Sequence, residues 1–261
     1  MKVSVLMGIY NCAPTLQEAL DSLYAQTFQD FKIILCDDGS KDDTYQIAEE
    51  NAKLHPNIVL LKNEKNMGLN YTLNHCLEYA DTEYCARMDG DDTCDSTRFE
   101  KEAAFLDSHP EYAIVTTPMN HFDENGVFRT SHASGEPHPN VYAKHVPFFH
   151  APCMIRTEAY KKVGGYTVSK KLIRQEDYEL WIKLYKAGYR GYIIDEPLYN
   201  MRDDQNAYKR RNWVSRRNEA YVKYLACREM KLPLHCYAYI LKPIILFLLP
   251  NRIYNYLHRN K

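Results

Sequence analysis

Val3-Ser-Val-Leu-Met-Gly-Ile-Tyr-Asn11 is a short apolar run, rich in β-branched residues, that ends abruptly on polar side chains. It reads as a strand. Pro14 then opens a helix pattern with Leu16, Ala19, Leu20 and Leu23 on one face. The unit recurs. Phe31-Lys-Ile-Ile-Leu-Cys36 is a second buried-type strand, and Ser40 with Asp43 resembles a helix start capped by Ser40 or Asp42. Ile58-Val-Leu-Leu61 is a third strand, and Leu69, Leu73, Cys76, Leu77 and Ala80 mark another helix face. Tyr84-Cys-Ala-Arg-Met88 is a fourth strand. Strands alternating with helices of this length predict an α/β fold with a mostly parallel sheet flanked by helices.

Ligands of such sheets collect at the carboxyl ends of the strands. Three polar clusters fall there: Tyr10-Asn11, Asp37-Asp38-Gly39-Ser40 and Asp89-Gly90-Asp91-Asp92. They are therefore expected to share one rim.

Residues 112–200 are mixed. Tyr112–Thr117 and Val127–Thr130 read as strands around the turn Asp123-Glu-Asn-Gly126. Residues 131–150, rich in His, Pro and Ser, read as a loop. Glu176–Ala187 reads as a helix stopped by Gly188, and a long polar helix is expected at about 206–230.

The net charge of −1 conceals an asymmetry. Residues 206–261 carry twelve basic and two acidic side chains, whereas the other 205 carry 21 basic and 32 acidic. A basic end on an acidic body points to an anionic partner, a membrane surface or a nucleic acid. Tyr237–Leu249 is apolar but for Lys242 and Pro243, and it is too short to span a bilayer. With Arg228, Lys231, Arg252, Arg259 and Lys261 beside it, 228–261 is expected to lie on a membrane surface. Packing on the domain and homodimerisation are the other readings of the tail. Nothing at the N-terminus reads as a signal peptide. The eight cysteines show no CxxC pair. Free thiols in a cytoplasmic protein, peripheral on the inner face of the cell membrane, are the expectation.

Asp89, Asp91 and Asp92 put three carboxylates within four residues, and they repel one another unless a cation neutralises them. Oxygen-only ligands suit Mg²⁺ or Mn²⁺; a solvated acidic turn is the plainer alternative. A calcium loop is disfavoured, because Cys94 stands where that loop needs Gly and a strand precedes it. Asp38 could accept a hydrogen bond from a base or ribose, or merely shape a turn. Tyr10 could stack on a base or close the core. Glu176 and Asp177 open a helix, where the dipole favours ionised carboxylates and hence a general base.

Taken in order over about residues 1–205, these pieces resemble the family-2 glycosyltransferases, which use the GT-A fold. The ordered set is Tyr10-Asn11, Leu23-Tyr-Ala-Gln-Thr-Phe28, Asp37-Asp-Gly-Ser40, Asn66-Met-Gly68, Arg87-Met-Asp-Gly-Asp-Asp92, His150-Ala-Pro-Cys-Met154, Val163-Gly-Gly-Tyr166, Gln175-Glu-Asp-Tyr-Glu-Leu-Trp181 and Tyr199-Asn-Met-Arg202.

The resemblance implies a Rossmann-like catalytic domain over 1–205, its nucleotide-binding half at about 1–110 and its acceptor half at 111–205. A basic helical tail, 206–261, would follow. It implies a donor site of Gly8, Tyr10, Asn11, Asp38, Gly68, Arg87, Asp89 and Arg202, with Tyr10 and Asp38 on the base. Asp91, with Asp89 or Asp92, would hold Mn²⁺ or Mg²⁺. Asp177 would be the catalytic base and Glu176 its supporting neighbour. Many relatives have Arg-x-His at the last motif, and Asp204 stands in the His place here.

The implied activity is inverting, metal-dependent transfer from a nucleotide-sugar, a UDP-sugar by family habit, to a saccharide or lipid-linked saccharide. The setting would be bacterial surface polysaccharide synthesis. A sugar-phosphate nucleotidyltransferase is the rival enzyme, but the loop Gly8–Pro14 carries no basic residue to cradle a triphosphate. A nucleic-acid-binding protein would rest on the tail alone, and the acidic body shows no such motif.

Overall fold

A computed structural model describes residues 1–203 and 213–248. Strands β1 (Val3–Ile9), β2 (Phe31–Asp37), β3 (Ile58–Lys62) and β4 (Tyr84–Arg87) lie parallel in the order 3-2-1-4. Side chains alternate between faces, so Val3, Val5, Met7 and Ile9 enter one core and Leu6 the other. Burial on both faces explains why these strands read as continuous apolar runs.

One core is roofed by α1 (Ala13–Tyr24), α2 (Thr44–Leu54) and α4 (Arg98–Ser108). The other is covered by α3 (Leu69–Glu78), α6 (Thr157–Lys162) and α7 (Glu176–Lys186), where Trp181 is fully buried. Each fully buried side chain of Leu or Phe size contributes roughly 1.5–3 kcal/mol.

The sheet continues past β4 with β9 (Met154–Arg156), β6 (Tyr112–Thr116) and β10 (Arg190–Ile193). Strand β9 runs antiparallel to both β4 and β6. The supposed halves on either side of residue 110 therefore share one sheet and both cores.

A second sheet orders β5 (Thr93–Cys94), β11 (Tyr199–Arg202), β7 (Met119–Asp123) and β8 (Gly126–Thr130). The hairpin at Asp123–Gly126 pairs β7 with β8; the 112–116 segment instead enters the large sheet. Residues 131–150 form a connection with one short helix, α5 (Val141–Lys144).

The long helix α8 spans Trp213–Glu229, and the earlier part of its expected range, with Asp204, lies outside the described residues. Val222 and Ala226 join the core that holds Trp181. Lys223, 2% exposed, donates to the Lys144 carbonyl at 2.8 Å. The start of the tail is thus built into the domain. A 3-10 helix (Leu234–Ile240) and α9 (Lys242–Leu248) follow. Cys236 and Leu232 are buried, with Cys227 and Ala143, while Leu234, Leu241, Ile245 and Leu248 are exposed. Arg252, Arg259 and Lys261 lie outside the described residues.

Candidate active site

Strand order turns at β1, whose neighbours are β2 on one side and β4 on the other, so a crevice opens beyond their carboxyl ends. A pocket of about 420 Å³ lies there, lined among others by Gly8, Tyr10, Asn11, Asp89, Asp91 and Arg202. Tyr10 is 44% exposed and offers an open ring face. Asn11 has φ 48°, an uncommon angle for a residue with a side chain, and its environment fixes it. Its N–H donates to Ser40 Oγ at 3.0 Å, and its Oδ1 accepts from Lys41 N at 2.8 Å. Cys12 N donates to Thr44 Oγ1, and Ala13 N to Asp42 Oδ2. Ser40 and Asp42 therefore brace the β1 loop, and the predicted Ser40 cap is replaced by a helix that begins at Thr44.

The acidic loop closes tightly on this wall. A methyl at Gly90 would stand 2.8 Å from Cys12 Sγ and 3.0 Å from Ile9 Cγ2, so the approach requires glycine. Thr15 Oγ1 donates to the Gly90 carbonyl at 2.9 Å. The three aspartates diverge. Asp89 and Asp91 line the pocket. Burial, and then the Asp89 charge, raise the Asp91 carboxyl above its ordinary range. Asp92 is 3% exposed and turned inward; its Oδ1 accepts from Arg202 N at 2.7 Å. Burial and the Asp89 and Asp91 charges push it up to about 8. Asp92, expected as a metal ligand, is instead a tie between the loop and β11.

Two carboxylates that line one pocket, with the Asp89 charge opposing ionisation of Asp91, suit a hard divalent cation. Among the described residues no group of three His, Cys, Asp or Glu converges as a metal site. Asp89 and Asp91 supply hard oxygen donors to one open pocket, a donor set that fits Mg²⁺ or Mn²⁺.

Arg87 is a further correction. It lies outside the pocket, 1% exposed, with Nη2 2.7 Å from Asp89 Oδ1. It can reach a ligand only through the aspartate that it holds. Arg202 does line the pocket; Nε donates to the Asp91 carbonyl at 3.0 Å, and Nη2 pairs with Glu18.

Asp38 is 4% exposed, and both of its oxygens are already engaged. Oδ1 accepts from Asn63 Nδ2 and Met67 N, each at 2.8 Å, and Oδ2 from Gly68 N at 2.9 Å. It anchors the loop before α3, leaving only the second lone pair of Oδ2 for a donor. Gly68, at φ 89°, lies with Met67, Leu69, Ile173 and Glu176 around a second pocket of about 460 Å³. A methyl at Gly8, in the first pocket, would be 3.6 Å from Leu69 Cδ1, in the second. The expected rim is therefore continuous but divided: Asp91 is in one pocket, Glu176 in the next, and Asp38 beneath.

Asp177 is half-buried at the first turn of α7. The helix end lowers its proton affinity, but burial outweighs that and pushes the carboxyl up to about 6, despite the Tyr178 N–H that it accepts. It is a better base than an ordinary aspartate.

Sequence reading missed Thr15, which holds the Gly90 carbonyl, and Glu18, which pairs with Arg202. The only local signal was the position of Thr15 on the first turn after the β1 loop.

The family model for glycosyl transferase family 2 matches residues 4–164, and that for glycosyl transferase family group 2 matches 85–250. EpsE of Bacillus subtilis (strain 168), named only as a glycosyltransferase, is 42% identical over 261 residues, covering 100% of this chain and 94% of its own. WfaP of Escherichia coli, a UDP-Glc:α-D-GlcNAc-diphosphoundecaprenol β-1,3-glucosyltransferase, is 28% identical across 72% of each chain. Staphylococcus aureus TarS 1–349, solved with UDP-GlcNAc, superposes with TM-score 0.74 at 23% identity, covering 94% of this chain and 72% of that one. A mannosyltransferase of Pyrobaculum calidifontis, solved with GDP-Man and Mn²⁺, gives 0.68 at 19% over 92% and 69%. These structures share the GT-A fold with the present chain. With the family model over more than half of its length and a relative 42% identical along all of it, the chain belongs to glycosyl transferase family 2.

Proposed function

We propose that this glycosyltransferase moves a sugar, with inversion, from a UDP-sugar to a hydroxyl of a saccharide or lipid-linked saccharide used for bacterial surface polysaccharide. The carrying observation is the single pocket that unites the ends of β1 and β4 with Arg202 of β11. Tyr10 stacks on the base, and Asn11 and Gly8 let the nucleotide approach the backbone. Asp89 and Asp91 hold Mn²⁺ or Mg²⁺, whose chemistry is to stabilise negative charge on the diphosphate. Arg202 adds a fixed positive charge once Glu18 is displaced.

The acceptor oxygen forms a bond to the anomeric carbon from the face opposite the diphosphate. The carbon–oxygen bond to the diphosphate breaks, and its electron pair leaves with the nucleoside diphosphate. Asp177 takes the hydroxyl proton, and Glu176 lines the neighbouring pocket where the acceptor lies. WfaP, named for a UDP-sugar and a lipid-linked acceptor, supports the choice of substrates.

A membrane address follows from such an acceptor. No helix among the described residues is long and apolar enough to cross a membrane. The exposed Leu234, Leu241, Ile245 and Leu248, with Lys231 and Lys242, suit shallow insertion beside anionic headgroups.

The donor reading is tested by thermal shift with UDP, with and without Mn²⁺. A shift that needs Mn²⁺ and disappears in Asp91→Ala is expected; a shift unaffected by metal or by that substitution refutes the cation assignment.

A further inference from the structure

The acidic loop has a buried support that neither the pocket nor the chemistry requires. Arg98, the first residue of α4, is fully buried. Its Nη2 donates to the Arg87 carbonyl, where the loop begins, at 3.0 Å. Its guanidinium lies 5.2 Å from the ring centroid of Tyr199. Tyr199, also fully buried, extends its hydroxyl to the middle of the loop, accepting from Asp89 N at 3.2 Å. The same hydroxyl lies beside the Asp92 carboxyl, where the loop ends, and favours its ionised form. Two side chains from elements remote in sequence thus fix the beginning, middle and end of a five-residue turn.

Arg98 is itself held by Glu102, one helical turn on, with Nε 3.2 Å from Oε2 and both side chains fully buried. That pair is poorly satisfied: Arg98 Nε and Nη1 and both Glu102 oxygens make no well-aligned hydrogen bond. A buried ion pair of this kind contributes little to stability, and apolar residues of similar volume would often serve as well or better. What apolar residues could not do is hold the Arg87 carbonyl.

We propose that Tyr199 and Arg98, with Glu102 behind Arg98, are positioning residues that hold Asp89 and Asp91 in their cation-binding arrangement before the donor arrives. The proposal rests on the reading of that loop as the divalent-cation and diphosphate site. Groups that orient metal ligands from behind typically matter 10–100-fold in metal affinity.

The test titrates Mn²⁺ into the full chain at fixed UDP and follows the melting temperature. Tyr199→Phe removes one oxygen and keeps the ring. It should raise the half-saturating Mn²⁺ concentration by about tenfold while the ligand-free melting temperature changes little. The double variant Arg98→Met with Glu102→Leu replaces the pair by apolar groups, so it should melt at or above the wild-type temperature and lose Mn²⁺ affinity to a similar degree. Either variant, folded and with an unchanged Mn²⁺ midpoint, overturns the positioning role. If wild-type UDP binding proves indifferent to metal, the cation reading itself falls and the proposal with it. A metal-responsive wild type with equally responsive variants removes the proposal alone.

Discussion

Asp89–Asp92 and Glu176–Asp177 are both acidic clusters at the carboxyl edge of one sheet, yet their surroundings differ. The first is tied from every side: Arg87 holds the Asp89 carboxylate, Tyr199 accepts from Asp89 N, Arg202 N donates to Asp92, and Gly90 is pressed against Cys12. The second stands at the first turn of a helix, where burial, and then the neighbouring Glu176 charge, raise the proton affinity of Asp177. A rigid cluster of carboxylates with a neighbouring cation can hold a metal; a single crowded carboxyl can take a proton.

Asp177→Asn separates the two most sharply. It keeps the shape but cannot accept a proton, so turnover should fall by about 10²–10⁴ while the Mn²⁺-dependent UDP shift remains. Retained turnover would give the base role to another residue. The pH profile comes next. Asp177 must be ionised to act, so kcat/KM should drop about tenfold per pH unit below a limb near the value of about 6 set by burial. The sign for stability is opposite. A carboxyl raised in the folded state binds its proton more tightly there than in the unfolded chain, so its contribution favours the fold at low pH. That contribution is lost as pH rises from 3.8 through about 6. An acid limb unchanged in position by Asp177→Glu would separate the profile from this residue.

Gly90→Ala probes the tied cluster. The added methyl meets Cys12 Sγ at 2.8 Å, which should cost about 1–3 kcal/mol in melting experiments and weaken UDP binding severalfold. Cys12→Ala in the same chain should restore part of both; no restoration would show that the strain lies elsewhere. The smallest effect is expected far from either cluster. Leu241→Ser with Ile245→Ser should reduce co-sedimentation with anionic vesicles severalfold and leave the UDP shift untouched. Equal sedimentation would remove the membrane role of this surface.

The core of the fold was legible because β1 to β4 bury both faces and so show as unbroken apolar runs. Strand β11 was not, since Tyr199–Arg202 is short and its partners, β5 and β7, lie at Thr93–Cys94 and Met119–Asp123. The hairpin turn was visible in Asp123–Gly126, but which run paired across it depended on β6 entering the other sheet.

For the site, residue type indicated an acidic loop but not the direction of each carboxyl. Asp89 and Asp91 face the pocket, whereas Asp92, in the same four residues, faces Arg202 N. Asp38 read as a ligand contact because a strand-end aspartate looks alike whether it meets a base or the backbone of Met67 and Gly68. Arg98 and Glu102 are invisible to pattern reading, since an i, i+4 charge pair on a helix normally marks its solvated face.

Helix α8 bears on how such enzymes can be recombined. Its Val222 and Ala226 complete the interior beside Trp181, and Lys223 ties it to Lys144. A hybrid that exchanges C-terminal ends between relatives has its natural splice beyond Cys236, which with Leu232 still packs on Ala143 and Cys227, not ahead of Trp213. Joined there, the recipient retains that interior and exchanges the exposed apolar surface of Leu241, Ile245 and Leu248.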